Sequence, residues 1–209
     1  MEIAVLLFER VTALDAIGPY EVLSRLPGAK VRFVGARPGP VRTDNGFLGL
    51  QVDAALSEVS SADILVVPGG HGTRALMDDE DALAWVRRIH ETTRFTTSVC
   101  TGSLVLAAAG LLKGLKATTH WNYRALLAEY GAVPTVARSV TEGKIVTAAG
   151  VSAGIDMALS LAATIASPPV AQAIQLGIEY DPAPPFSGGS LETSDPAIVA
   201  IVRSALESG

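Results

Sequence analysis

The chain is poor in several residue types and patterns, and each shortage excludes a class of function. One cysteine among 209 residues cannot form an intrachain disulfide, which indicates a reducing compartment. A net charge of −5 without any block of lysine or arginine argues against nucleic acid as a partner. The apolar stretches are broken well before membrane-spanning length, and the N-terminus lacks the basic start and longer apolar run of a signal peptide. We therefore expect a soluble, cytoplasmic protein that binds neither nucleic acid nor a membrane.

Patterns typical of metal and nucleotide sites are also scarce. The three histidines, His71, His90 and His120, are dispersed, and with one cysteine they do not form a recognisable set of metal ligands. No Walker-type loop and no Gly-x-Gly-x-x-Gly loop follows a predicted strand. The sequence therefore predicts neither a bound metal nor a bound nucleotide.

Short apolar runs alternate with helical segments along the whole chain. Hydrophobic residues make up 49% of the sequence, enough for the core of one large domain over residues 1–209. Strands joined by helices predict a mostly parallel sheet, which binds ligands beyond the carboxyl ends of its strands. Two predicted hairpins, at 41–52 and 136–147, add an antiparallel element. The predicted strands are 3–8, 31–35, 64–67 and 95–99, and the predicted helices are 18–26, 79–92, 101–109, 123–130, 152–166, 169–180 and one that opens at Asp195-Pro196.

The single cysteine, Cys100, lies where a predicted strand meets a predicted helix. The first N–H groups of the helix point at such a side chain and the helix dipole favours an anion, so we expect the thiol to ionise more readily than its reference pKa of about 8.5. Ser98 and Gly102, two positions to either side, are small, as the turn of a nucleophile elbow requires. The alternative is a buried structural cysteine, because free cysteine is among the most buried residue types.

Asp15 lies among apolar neighbours after the first predicted strand, in what the sequence predicts to be a loop. Burying a carboxyl there is costly unless it gains a partner or a proton. Spacing alone favours Asp15 as the N-cap of the helix predicted to start at Gly18-Pro19. The functional interpretation is an acid–base group whose pKa is raised by burial near the thiol.

Several further residues carry polar groups that are expected near the cysteine. Gly70, His71 and Gly72 follow the third predicted strand, and their backbone N–H groups can approach a ligand and hold a developing negative charge. The hydroxyl of Thr101 can hydrogen-bond the thiolate or a substrate, or it can cap the helix. His120 follows a short extended segment, and it is either the base of a Cys-His pair or a capping and packing residue.

The acidic loop after the first strand, the strand followed by Pro-Gly-Gly and the strand–Cys–helix junction together resemble the DJ-1/PfpI superfamily. Within it the residues are most similar to the isocyanide hydratase branch, and the resemblance covers essentially the whole chain. It is carried by residues 14–15, 18–19, 67–70, 98–106, 117–121, 153–156 and 176–186. The resemblance implies a flavodoxin-like three-layer α/β/α sandwich with a nucleophile-elbow cysteine, a homodimer and no cofactor.

The resemblance also implies roles for individual residues. It makes Cys100 the nucleophile and Asp15 the acid–base group, and it gives Thr101 a supporting hydrogen bond near the cysteine. It puts oxyanion-type donors around residues 70–72.

The chain departs from the hydratase pattern at a few positions. Ile17 stands where the pattern has a polar threonine, and His71 and the Thr73-Arg74 pair replace a small, apolar loop. We therefore expect the pocket wall to differ, so the resemblance determines the chemistry more firmly than the identity of the substrate.

The implied activity is hydration of a small-molecule isocyanide to an N-substituted formamide through a covalent cysteine thioimidate. A glyoxalase-type or hydrolase-type enzyme is one alternative, but it would favour a base beside the cysteine, and Thr101 is a poor base. A non-catalytic redox sensor with a low-pKa thiol is another alternative. A ligand-sensing domain of a transcriptional regulator would carry a helix-turn-helix extension, for which we expect no room at the end of this sequence.

Overall fold

The computed structural model describes residues 1–207, so the last two residues of the predicted domain 1–209 lie outside the described residues. The strands are β1 (Glu2–Leu6), β2 (Lys30–Gly35), β3 (Gly39–Arg42), β4 (Gly49–Val52), β5 (Ala54–Ala55), β6 (Ile64–Val67), β7 (Phe95–Val99), β8 (Lys116–Ala117), β9 (Val133–Pro134), β10 (Ser139–Glu142) and β11 (Ile145–Ala148). The α-helices are α1 (Ala13–Leu23), α2 (Thr73–Met77), α3 (Glu80–Thr92), α4 (Gly102–Ala108), α5 (Arg124–Glu129), α6 (Ala153–Ile165), α7 (Pro168–Gly177) and α8 (Pro196–Glu207). Single 3-10 turns lie at Leu56–Glu58 and Trp121–Tyr123.

A seven-stranded sheet in the order β10-β11-β7-β6-β1-β2-β5 forms the centre of the protein. Its strands run parallel except for β10, which pairs antiparallel with β11 at one edge. The chain moves from β1 toward β2 on one side and from β6 toward β7 on the other, so the loops that leave β1 and β6 diverge. Open α/β sheets bind ligands in the crevice at such a point.

Each face of the sheet has its own hydrophobic core, because alternate side chains of a strand point to opposite faces. In β1, Ala4 and Leu6 pack on the face that α3 and α4 cover, whereas Ile3 and Val5 pack on the face that α1 and α6 cover. This arrangement is the predicted three-layer α/β/α sandwich, and the prediction of fold class is confirmed.

The first helix begins earlier than the sequence predicts. It starts at Ala13 rather than at residue 18, so Asp15 lies in its first turn and Pro19 in its interior. Pro19 has no N–H to donate to the carbonyl of Asp15, four residues earlier. Because of this missing hydrogen bond, the sequence predicts a helix that starts near Pro19 rather than at Ala13. Buried contacts against α6, such as those of Val22, outweigh that loss. Asp15 is therefore neither a loop residue nor an N-cap, because Thr12 occupies the N-cap position.

The other predicted elements lie within a few residues of the observed ones. Both hairpins form, as β3–β4 and β10–β11, but the first is a separate two-stranded ribbon rather than part of the central sheet. The last helix opens as predicted, with the Asp195 side chain accepting from the backbone N–H of Ala197 at 2.7 Å. Helix α2 was not predicted, because its five residues are too few to show a helical period. None of the helices within residues 1–207 is long and apolar enough to cross a bilayer.

Candidate active site

Four loops at the carboxyl ends of neighbouring parallel strands meet at one place. The loop after β1 leads into the helix turn that holds Asp15, and the loop after β6 contains Gly69. Cys100 directly follows β7, and Val151 lies in the loop after β11. Asp15 and Cys100 are close enough to shift each other's pKa, and the backbone N–H groups of Gly69 and Val151 act on them directly. The sheet therefore brings together residues that are far apart in sequence.

Cys100 has the backbone of a nucleophile elbow. Its φ of 57° lies in the left-handed region, which residues other than glycine rarely adopt. The turn fits against β6 only because the next residue but one is Gly102, where an added Cβ would lie 2.0 Å from the carbonyl oxygen of Val67. The carbonyl of Cys100 accepts a hydrogen bond from Thr119 Oγ1 at 2.9 Å, which fixes the turn from the other side. The predicted elbow geometry is confirmed.

Asp15 is fully buried beneath the cysteine loop. Its Oδ2 accepts a hydrogen bond from the backbone N–H of Gly69 at 3.0 Å, and its Oδ1 has no hydrogen-bond partner among the described residues. Burial raises the pKa of Asp15 from 3.8 to about 7, against the opposing effects of the Gly69 N–H and the Cys100 thiol. The carboxylate of Asp44 raises this pKa further. The carboxyl group therefore holds a proton over much of the range below neutral pH.

The Cys100 thiol is 5% exposed and lines the cavity described below. Burial, and secondarily the Asp15 carboxylate, raise the pKa of the thiol well above its usual value, whereas the backbone N–H groups of Val151 and Thr101 lower it. The prediction of a readily ionised thiol is therefore wrong for this site. The dipole of a seven-residue helix does not compensate for loss of water and a neighbouring carboxylate. Below neutral pH both members of the pair are therefore mainly in their neutral forms.

Thr101 is tied to the loop after β6. Its Oγ1 accepts a hydrogen bond from the Gly70 N–H at 3.0 Å. The hydroxyl of Thr73 donates to the Gly70 carbonyl at 2.7 Å and also lies 3.2 Å from Thr101 Oγ1. The 3.3 Å contact from Thr101 Oγ1 to the same carbonyl is long for a hydroxyl donor, so this hydrogen bond is weak.

Two of the backbone N–H groups that were predicted to stabilise an oxyanion already donate to other groups within the protein. The Gly70 N–H is taken by Thr101, and the Gly72 N–H donates to the carbonyl of Arg10 at 3.2 Å. Gly70 and His71 line the cavity, whereas Gly72 does not. Gly72 instead packs against backbone, because a Cβ there would lie 1.9 Å from the Glu9 carbonyl oxygen. The assignment of Gly72 to the substrate wall is therefore corrected.

Ile17, expected in the pocket wall, is half-buried on α1 and does not line the cavity. Residues two apart on a helix do not share a face, so a helix that turns Asp15 toward Cys100 turns Ile17 away from it. Its departure from the hydratase pattern therefore does not bear directly on the substrate.

His120 lines the cavity as the N-cap of the 3-10 turn Trp121–Tyr123. Its Nδ1 accepts from the Asn122 N–H at 3.4 Å, so Nε2 carries the proton. Burial, with a smaller effect of Arg124, lowers the pKa of His120 to about 4, and the ring is neutral at pH 7. Among the described residues no hydrogen bond joins His120 to Cys100, and the geometry favours a wall and capping residue over a Cys-His base.

The cavity above Cys100 has a volume of about 460 Å³. Leu104, Leu126 and Val151 contribute apolar walls, and the Arg74 side chain is part of the lining. Within residues 1–207 there is no group of three or more His, Cys, Asp or Glu side chains placed to hold a metal ion. The cavity therefore offers the Cys100 thiol in a mostly apolar wall, and the Asp15 carboxyl, which is not part of the lining, lies buried next to that thiol.

Sequence reasoning missed several residues that shape this site. Gly69 was seen only as part of a common turn, although a Cβ there would lie 2.7 Å from Asp15 Oδ2. Val151 contributes through its backbone N–H, for which the residue type gives no signal. Thr119 and Thr73 contribute hydroxyl groups, and short threonine-containing segments were the only available signal.

Known proteins are similar to this chain in sequence and in fold. The family model described as DJ-1/PfpI family matches residues 1–164. The isonitrile hydratase of Pseudomonas putida is 45% identical over 203 residues, which span 97% of this chain and 89% of that protein. The crystal structure of a THiJ/PfpI family protein from Pseudomonas syringae superposes with a TM-score of 0.94 at 40% identity, covering 99% of this chain and 86% of the other. The HTH-type transcriptional regulator CdhR of Pseudomonas aeruginosa is 32% identical over 76% of this chain, which corresponds to 48% of the regulator. This chain belongs to the DJ-1/PfpI family.

Proposed function

We propose that this protein is an isocyanide hydratase, which converts R–N≡C and water to an N-substituted formamide without a cofactor. The observation that carries the proposal is the buried Asp15 carboxyl beside the Cys100 thiol, which itself lines a mostly apolar cavity. The 45% identity to an isonitrile hydratase, isonitrile being a synonym of isocyanide, supports the same activity.

The first half of the reaction adds the thiol to the terminal carbon of the isocyanide. The Cys100 sulfur forms a bond to that carbon, protonated Asp15 gives its proton to the carbon, and the carboxylate receives the thiol proton. The product is the thioimidate Cys–S–CH=N–R, and Asp15 is protonated again. The raised pKa of both groups suits this step, because each is a neutral proton donor before reaction.

The second half releases the formamide. Asp15 gives its proton to the imine nitrogen and then takes a proton from the water whose oxygen bonds to the thioimidate carbon. The tetrahedral adduct HO–CH(S–Cys)–NH–R collapses as the C–S bond breaks, and the hydroxyl proton returns to sulfur. One carboxyl and one thiol therefore suffice for both halves. Thr101 and the backbone of His71, both in the cavity wall, are the proposed stabilisers of the adduct.

Two other activities fit the site less well. A redox sensor needs an accessible thiolate, and burial raises the pKa of the Cys100 thiol. A glyoxalase or hydrolase of the usual Cys-His kind needs a base bonded to the thiol, and His120 makes no such bond.

A homodimer is the proposed assembly. Ile198 and Ile201 on α8 are 54% and 65% exposed, which supports burial of part of that helix against another chain. Sedimentation equilibrium should give twice the monomer mass. A monomer at micromolar concentration would contradict this assembly.

The activity is tested with cyclohexyl isocyanide, with the formamide identified by mass spectrometry. Cys100→Ala should abolish turnover, and Asp15→Asn should lower kcat by at least about 1,000-fold, the scale expected for loss of a nucleophile's acid–base partner. Asp181→Asn, in an exposed loop, is the matched control and should keep wild-type activity. Turnover by the Cys100→Ala protein would exclude the covalent mechanism.

A further inference from the structure

Among the described residues, the charged side chains that line the cavity form no ion pairs with one another. Among the residues that the structure describes, Arg74 is the only arginine or lysine in the lining, and Asp44 and Asp78 are the acidic residues there. The Asp44 carboxylate is already engaged, because Oδ2 accepts from Thr12 Oγ1 at 2.7 Å and Oδ1 accepts from the Asn45 N–H at 2.8 Å. Arg74 and Asp78, both exposed, therefore remain as charged residues of the described lining that form no ion pair.

Arg74 is held over the cavity by an aromatic residue rather than by an acid. Its guanidinium lies 6.0 Å from the ring centre of Tyr123, and one Nη atom lies 3.4 Å from the Tyr123 hydroxyl. Among the described residues, no carboxylate oxygen lies within the 4.0 Å of a salt bridge to Arg74. Asp78 is four residues later at the end of α2, and an arginine preceding an acid by four residues is the weaker order for a helical ion pair.

We propose that the preferred substrates are isocyanides whose R group carries a carboxylate, that Arg74 in the cavity wall binds this carboxylate, and that Cys100 meets the isocyano group at the other end of the substrate. The inference rests on the proposed function, and it names a substrate class for the same site. A guanidinium presents two parallel N–H donors that match a carboxylate, and Tyr123 holds its plane from one side. The apolar walls between the two ends suit the carbon chain of such a substrate.

Asp78 is the residue that opposes this assignment. Its carboxylate lines the same cavity and would repel an anionic substrate, whereas it would attract a cationic one. The proposal requires that the paired geometry at Arg74 outweighs this repulsion. Removing the Asp78 charge should therefore improve the binding of a carboxylate substrate.

The experiment compares three isocyanides of equal chain length, an ω-isocyanoalkanoate, its methyl ester and the corresponding alkylammonium compound, with cyclohexyl isocyanide as reference. The carboxylate should have a KM about three-fold lower than the ester, because an exposed charge pair contributes modestly. Arg74→Gln should remove this advantage with kcat changed less than about two-fold, since the carboxylate is bound equally before and during reaction. Asp78→Asn should lower the KM of the carboxylate, and Arg88→Gln, an equal charge change on the exposed side of α3, should leave it unchanged.

The outcomes separate the inference from the proposed function. If cyclohexyl isocyanide is hydrated but the carboxylate gains nothing over its ester, the role of Arg74 is refuted and the hydratase activity stands. A preference for the alkylammonium compound, or an equal rise of all KM values in Arg74→Gln, refutes it in the same way. If no isocyanide is hydrated at all, the proposed function fails and the substrate class fails with it.

Discussion

Replacing Asp15 by asparagine should measure the cost of burying this carboxyl group. Asparagine has nearly the same shape and can still accept the Gly69 N–H, but it does not ionise. Burial raises the pKa of Asp15 from 3.8 to about 7. Between these values the native protein keeps a proton that the unfolded chain releases, so the free energy of unfolding falls as the pH rises through this window. A shift of about 3 units at 1.36 kcal/mol each gives a loss of about 4 kcal/mol in total, of which about 2.5 kcal/mol falls between pH 5 and pH 8.

Urea unfolding of wild type and Asp15→Asn at pH 5, 6, 7 and 8, at one protein concentration, tests this value. The difference in unfolding free energy should grow by about 2.5 kcal/mol in favour of the variant, with m unchanged. Taking the difference removes the contributions of other titrating groups, including His90 and His120, whose pKa values are lowered by burial. A difference that stays constant across this range would mean that Asp15 ionises at its ordinary pKa, and the proton-donor role would fall with it.

Gly102→Ala should lower the unfolding free energy by about 3 kcal/mol in urea titrations, because the new Cβ meets the Val67 carbonyl. Gly177→Ala is the control, because a Cβ at Gly177 has open space, and it should change the unfolding free energy by less than about 1 kcal/mol. Equal effects would contradict the close packing of the elbow. Thr101→Val should cut kcat and leave a loop N–H unpaired, and Thr101→Ser should restore most of the activity; a Ser variant as slow as Val would exclude the hydroxyl role. NMR titration should find the His120 ring neutral down to about pH 4, and a midpoint near 6.5 would show an exposed ring.

The position of the active site could be predicted from the sequence because parallel strands bring their carboxyl ends to one edge. The alternation of strands and helices places Cys100, Gly70 and Asp15 after three strands that turn out to be neighbours, β7, β6 and β1. The elbow could be predicted as well, because a sharp strand-to-helix turn needs small neighbours and Gly102 supplies one. These conclusions depend on local geometry that residue type controls directly.

The predictions that were wrong concern properties that depend on the tertiary environment rather than on residue type. The start of α1 is set by tertiary contacts against α6, which outweigh the local signal of Pro19. Ile17 was placed in the pocket wall by the resemblance to the hydratase pattern, and the helical turn points it away from the face of Asp15. The thiol pKa was misjudged because the sequence reveals the neighbouring helix but not the loss of water around Cys100.

The carboxyl edge of the sheet also concentrates the unfavourable backbone conformations of this protein. Of the four residues other than glycine with positive φ in residues 1–207, Arg10, Cys100 and Val151 lie in loops that follow β1, β7 and β11, and only Glu179 lies elsewhere. Each such conformation costs on the order of 1 kcal/mol, and glycine would relieve it. The fully buried Asp15 adds its own cost at the same edge. A sheet that needed only stability would have no reason to gather these costs where three of its strands end. Their concentration at the edge that holds Cys100 is the physical argument that this edge serves a purpose other than stability.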